Sequence, residues 1–189
     1  MKPSQVVKNL RNGSNTTVEN TIRFLGNNGL GDVLPDEVAA ALASLVGRSD
    51  IDQDLVRDVL LSFPSKQSVP LYLKFLGSEA VPDAEHSIYG LGPWLRICSE
   101  EQRSSVRIVL EQQTRNKHPI IAALACVYGV SHLEFDESYW RVVAETIAVA
   151  DGGEWWQSIR SSVEEILEPA QMKRVNLILK GMGSKPLEP

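Results

Sequence analysis

The stretch from Ile120 to Val130 is the longest nearly unbroken apolar run in the sequence. A helix that is apolar on every side has to be covered on every side. At about a dozen residues the run is too short for a bilayer, which needs roughly 20, so protein should cover it. We therefore expect residues 118–133 to form the buried central helix of an all-α domain.

The rest of the chain predicts about ten short helices joined by tight loops, with almost no strand signal. One helix should be capped by Asp50 or Asp52 and end at Pro64. Its apolar face is Leu55, Val56, Val59, Leu60 and Phe63, and its opposite face is Asp54, Arg57, Asp58 and Leu61. We expect one domain over residues 1–180, and a disordered tail over residues 181–189 because that tail is rich in Gly and Pro.

Four helical segments share an apolar residue followed by Arg: TIRFL at Arg23, LVRDV at Arg57, SVRIV at Arg107 and YWRVV at Arg141. The pattern resembles the second helix of HEAT-like or armadillo-like repeats, in which an acidic residue shortly precedes Val-Arg, and the segment 54–57 is the closest match. This resemblance, over residues 15–168, implies a right-handed α-solenoid of stacked antiparallel helix pairs. The spacings of 34, 50 and 34 residues are irregular, so a non-repetitive helical bundle is the alternative.

The formal net charge is -5, which is unlike a nucleic-acid-binding protein with clustered Lys and Arg. The acids are also segregated along the chain. Residues 32–58 carry seven acids against two arginines, and residues 133–168 carry nine acids against two arginines. Like charge gathered in this way repels itself, so we expect an acidic surface that serves binding to a basic protein.

Two clusters that could bind a metal ion lack residues that such binding requires. Asp50, Asp52 and Asp54 imitate a calcium-binding loop, but Leu55 stands where the loop needs Gly and Leu61 where it needs a bidentate Glu. A second cluster, His132, Glu134 and Asp136, has no further His nearby. We therefore expect no metal, no cofactor and no enzymatic activity.

The cysteines and the N-terminus bear on the compartment. Cys98 and Cys126 lie in apolar stretches without metal-ligand spacing, so we expect two reduced core thiols. Three early cations are not followed by a continuous apolar segment, so we expect neither a signal peptide nor a membrane partner and place the protein in the cytoplasm.

Taken together, these patterns favour a non-enzymatic protein-binding module that docks a basic protein, in the form of an immunity or antitoxin-type inhibitor of a toxin enzyme. The alternatives are a scaffold or adaptor subunit of a larger complex and a HEAT-like DNA-modifying enzyme. The expected partner-binding residues are acids and neighbouring apolar anchors: Asp50, Asp54, Asp58, Leu61, Glu145, Glu154, Trp155 and Trp156.

Overall fold

The computed structural model describes residues 1–31, 33–150, 153 and 156–187, with only the backbone described at Ala150, Trp156 and Ser158. Within these residues the chain is all-α, as the sequence predicts, and a single 3-10 turn (Lys66–Ser68) precedes the fifth helix. The helices are α1 (Pro3–Asn12), α2 (Asn15–Asn28), α3 (Asp36–Ala43), α4 (Gln53–Ser62), α5 (Val69–Leu76), α6 (Val81–Tyr89), α7 (Leu91–Ile97), α8 (Glu100–Gln113), α9 (Pro119–His132), α10 (Tyr139–Ala150), α11 (Trp156–Ile166) and α12 (Pro169–Gly181).

The chain divides into two compact units, a division that the expected single domain over residues 1–180 did not include. Unit 1 comprises Met1–Leu76 and Tyr89–Ser104, and unit 2 comprises Gly77–Ile88 and Ser105–Pro189. In unit 1, α1 contacts α2 and α3, while α4 contacts α2 and α3. In unit 2, α9 contacts α10 and α11, and α10 contacts α11 and α12.

Helix α4 begins as the sequence predicts, because the Asp52 carboxylate accepts hydrogen bonds from the backbone N–H groups of Asp54 (3.1 Å) and Leu55 (3.3 Å). Such a cap satisfies donors that have no partner inside the helix. Helix α2 is capped in the same way, since the hydroxyl of Ser14 accepts a hydrogen bond from the backbone N–H of Thr17 at 3.3 Å.

Leu61 was expected on the outer face of α4, and that placement is wrong. The residue is only 3% exposed. The indole N–H of Trp94 in α7 donates to the Leu61 carbonyl at 3.0 Å, and the Trp94 ring stacks on Tyr72 of α5 at 4.4 Å between centroids. Because α5 and α7 bring these rings to the end of α4, a side of the helix that looks polar in isolation becomes part of the core.

Helix α9 is the buried centre of unit 2, which confirms the prediction from the apolar run. Every residue from Ile120 to Val127 is buried, and so is Gly129. Pro119 suits the first position of the helix, because the backbone N–H that proline lacks would have no acceptor within the helix at that position. The helices that contact α9 carry amphipathic faces, and these provide the cover that α9 requires.

The chain leaves α9 through a tight return onto that helix. The backbone N–H of Phe135 donates to the Gly129 carbonyl at 3.2 Å, and Glu134 takes a positive φ of 52° between them. A Cβ on Gly129 would lie 2.2 Å from the Phe135 ring, so only glycine allows this approach. The return fixes the start of α10, where the Asp136 carboxylate accepts from the backbone N–H of Ser138 at 2.8 Å.

Residues 181–187, part of the tail that the sequence predicts to be disordered, make defined contacts in the structure. Leu187 is 2% exposed, and the Asn176 side chain pairs with both its backbone N–H (2.6 Å) and its carbonyl (3.0 Å). Arg160 also donates to the carbonyls of Lys185 and Pro186. A buried apolar side chain and satisfied backbone groups together hold this segment against α11 and α12.

Candidate partner-binding surfaces

The acids of α4 lie around one arginine. Arg57 is 2.9 Å from Asp54 and 3.7 Å from Asp58, and its side chain is only 16% exposed, whereas those of the two acids are 78% and 50% exposed. Asp50 pairs with Arg48 at 2.6 Å, and this hydrogen bond holds the pKa of the Asp50 carboxyl below its usual value. Asp54 and Asp58 thus keep exposed carboxylates beside Arg57, and the two arginines of the segment offset only part of its negative charge.

The two units differ in net charge. Unit 1 holds ten acidic and ten basic residues, and unit 2 holds 14 acidic and nine basic residues. The whole net charge of -5 thus belongs to unit 2. Because a long-range field follows net charge, the negative field of the chain originates from unit 2.

Unit 2 carries a groove of about 460 Å³, which we call the α10 groove. One wall is the outer side of α10 with Val142, Glu145 and Val149, and the floor includes Pro119 and Ala122 at the start of α9. Gly153 also lines it. Of the expected partner-binding residues, Glu145 is the one that the described part of the chain places in a groove.

Val149 is an exposed apolar anchor that the sequence analysis missed. Its exposure of 87% is the highest among the large hydrophobic residues that the structure describes. Arg141, Glu145 and Val149 follow one another every fourth residue on the outer side of α10, and Arg141 pairs with Glu145 at 2.9 Å. The sequence did contain a signal for this exposure. Residues four apart share a helix face, and Val149 is the apolar member of a stripe whose other two members are charged.

The opposite wall of the α10 groove is basic. It is formed by the connection between α8 and α9, where Arg115 and Lys117 are exposed. Hydrogen bonds fix this connection: Asn116 donates to the Gln113 side chain at 2.6 Å and accepts from the backbone N–H of His118 at 2.8 Å. The α10 groove is therefore bipolar, with a carboxylate on one wall and two cations on the other.

Three expected anchors are not placed by the structure. Glu154 and Trp155 lie outside the described residues, and Trp156 begins α11 with only its backbone described. They follow Gly153 directly in sequence. Their role in binding stays a prediction.

The two cysteines differ in burial: Cys126 lies in the core, whereas Cys98 is only half-buried. Burial raises the pKa of the Cys126 thiol to about 12 and also raises that of the Cys98 thiol. The thiolate is the reactive form of cysteine, and a raised pKa leaves very little of it near neutral pH. Cys126 is therefore expected to be an unreactive core residue. Among the described residues, no three His, Cys, Asp or Glu side chains are grouped as metal ligands.

In the part of the chain that the structure describes, no helix combines the length and the apolar character needed to cross a membrane. Comparison of the chain with protein-family models, curated proteins and solved structures found no match.

Proposed function

We propose that the protein is a non-enzymatic protein-binding module whose unit 2 docks a basic protein partner in the α10 groove. The observation that carries the proposal is Val149, 87% exposed at the groove and one helical turn from Glu145. Single exposed apolar residues are common, but this one stands on the wall of a groove beside a charge. Burying a Val side chain contributes about 1.5 to 3 kcal/mol, so a partner that covers it gains an anchor.

The charges of unit 2 support a basic partner and give it an orientation. The net charge of -5 speeds encounter with a basic surface, and the effect falls with salt. Close to the surface, a cation of the partner fits beside Glu145, and an acidic or polar group fits beside Lys117. The partner therefore presents both signs of charge, with the basic residue on the α10 side.

The finer proposal is that docking inhibits a basic enzyme, as an immunity protein or antitoxin does, in the cytoplasm. It rests on the acidic charge of unit 2, and a scaffold or adaptor subunit is the alternative. Adding the purified protein to the identified partner separates the two. An inhibitor abolishes the partner's catalytic activity at stoichiometric amounts, whereas an adaptor leaves that activity intact.

We also propose that each unit is built from stacked helix pairs, as in HEAT-like repeats. In unit 1 the pairs α1/α2 and α3/α4 contact through α1 with α3 and α2 with α4. In unit 2 the first helices α9 and α11 contact, and so do the second helices α10 and α12.

Site-specific photo-crosslinking in native cells tests the docking surface. A crosslinking amino acid at position 149 is compared with one at Ile108, an exposed apolar residue of α8 in the same unit. We expect one basic protein to crosslink at 149 and not at 108, and the crosslink to be lost in Glu145→Lys. Equal yields at the two positions, or an acidic crosslinked protein, would contradict the proposal.

A further inference from the structure

A second groove of unit 2, of about 630 Å³, runs along α12, and we call it the α12 groove. Its surface is mainly apolar and includes Pro169, Met172, Leu177 and Pro186. Lys173 and Lys180 stand at its edges. It differs from the α10 groove in that its lining contains cations and no acid.

The tail builds one wall of the α12 groove. Ser184 and Pro186 line it, and they are held by the contacts of Asn176 with Leu187 and of Arg160 with the Lys185 and Pro186 carbonyls. The wall is thus fixed by interactions within the chain. A preformed wall lowers the ordering cost of binding, because little has to be immobilised when a ligand arrives.

The cations and the apolar surface follow one helical stripe. Lys173, Leu177 and Lys180 occupy positions i, i+4 and i+7 of α12. At 1.5 Å of rise per residue, the two lysines are about 10 Å apart along the axis. Leu177, between them, is 65% exposed. This stripe places an apolar contact between two positive charges inside a unit whose net charge is negative.

We infer that the α12 groove docks an acidic amphipathic helix of a partner protein. Carboxylates at positions i and i+7 of that helix repeat the spacing of Lys173 and Lys180, and apolar residues at i+3 and i+4 cover Leu177. An amphipathic helix laid into an apolar groove is a common recognition mode, and the flanking charges select its sign. Two separate grooves let one molecule hold two different chains, which is what an adaptor requires. This inference does not depend on occupancy of the α10 groove.

Selection from a displayed library of random helical peptides tests the inference. The full chain is the bait, and Leu177→Asp is the counter-selection bait, because it places a charge in the stripe without touching the core. We expect enriched peptides to be acidic, with carboxylates seven residues apart around an apolar pair. In fluorescence anisotropy, Leu177→Asp and the double variant Lys173→Glu/Lys180→Glu should each weaken binding about tenfold or more, while Ile108→Asp should leave binding unchanged.

Other occupants give distinct results that overturn the inference. Enrichment of basic peptides, or equal recovery on wild type and Leu177→Asp, removes the acidic-helix assignment. Sedimentation that shows self-association of the wild type but not of Leu177→Asp assigns the groove to a second copy of the chain. Binding to anionic phospholipid vesicles that Leu177→Asp abolishes, without any peptide binding, assigns it to a membrane surface.

Discussion

Replacement of Gly129 by Ala tests the packing that fixes the start of α10. The added Cβ would lie 2.2, 2.4 and 2.8 Å from three atoms of the Phe135 ring, where ordinary carbon contacts are about 3.5 to 4.0 Å. The ring must therefore move by more than about 1 Å, out of a site where it also packs on Tyr139 and lies under Arg107. Expelling a buried Phe costs about 3 to 5 kcal/mol.

Alanine also has the higher helix propensity, which offsets about 1 kcal/mol of that cost. The net loss is then about 2 to 4 kcal/mol, which corresponds to a melting temperature lower by about 5 to 15 °C. Thermal and urea unfolding followed by circular dichroism measure it. The matched control is Gly26→Ala in α2, whose Cβ would make an ordinary 3.5 Å contact with Val59 and should stabilise slightly. If Gly129→Ala is as stable as Gly26→Ala, the close approach of Phe135 to α9 is wrong.

Three further predictions concern the core and α4. Ala123→Asp should abolish soluble folding, because an unpaired carboxylate in the centre of α9 costs several kcal/mol; a soluble variant that unfolds cooperatively in size-exclusion and denaturation experiments would show that α9 is not central. Cys126 should resist alkylation at pH 8 in the native state, since with a pKa of about 12 only about one thiol in ten thousand is ionised, and mass spectrometry should find it labelled only after unfolding. Reversing Asp54 and Asp58 to Lys should destabilise the protein by about 1 to 2 kcal/mol, because it removes two ion pairs of the mostly covered Arg57 and places two like charges beside it; an unchanged urea midpoint would mean that these ion pairs contribute nothing.

The sequence predicts the helices best where local and tertiary requirements agree. The apolar run of α9 requires cover on all sides whatever surrounds it, and the structure buries it. The cap of α4, for which the sequence offers Asp50 or Asp52, is local, and Asp52 forms it with hydrogen bonds of 3.1 and 3.3 Å. Gly90 stands between α6 and α7, and glycine is a residue type that commonly interrupts a helix.

The misplaced residues are those whose surroundings come from distant segments. Leu61 lies on a charged side of α4, and only Trp94, 33 residues later, brings that side into the core. Leu187 is one apolar residue in a polar tail, so no periodicity marks it, yet Asn176 and its neighbours give it a site. Val149 is the converse case, since its type suggests burial while its position on α10 exposes it.

The central claim is that Glu145 and Val149 form the docking surface for a basic partner, and association kinetics test it most directly. With the crosslinked partner purified, the association rate is measured by stopped flow at low and high salt for wild type, Glu145→Lys and the control Glu165→Lys, which changes the charge equally at an exposed position of α11. We expect Glu145→Lys to slow association about tenfold at low salt and far less at high salt, Glu165→Lys to have a smaller effect, and Lys117→Glu to speed association. A rate that is insensitive to salt, or equal effects of Glu145→Lys and Glu165→Lys, would contradict docking at the α10 groove.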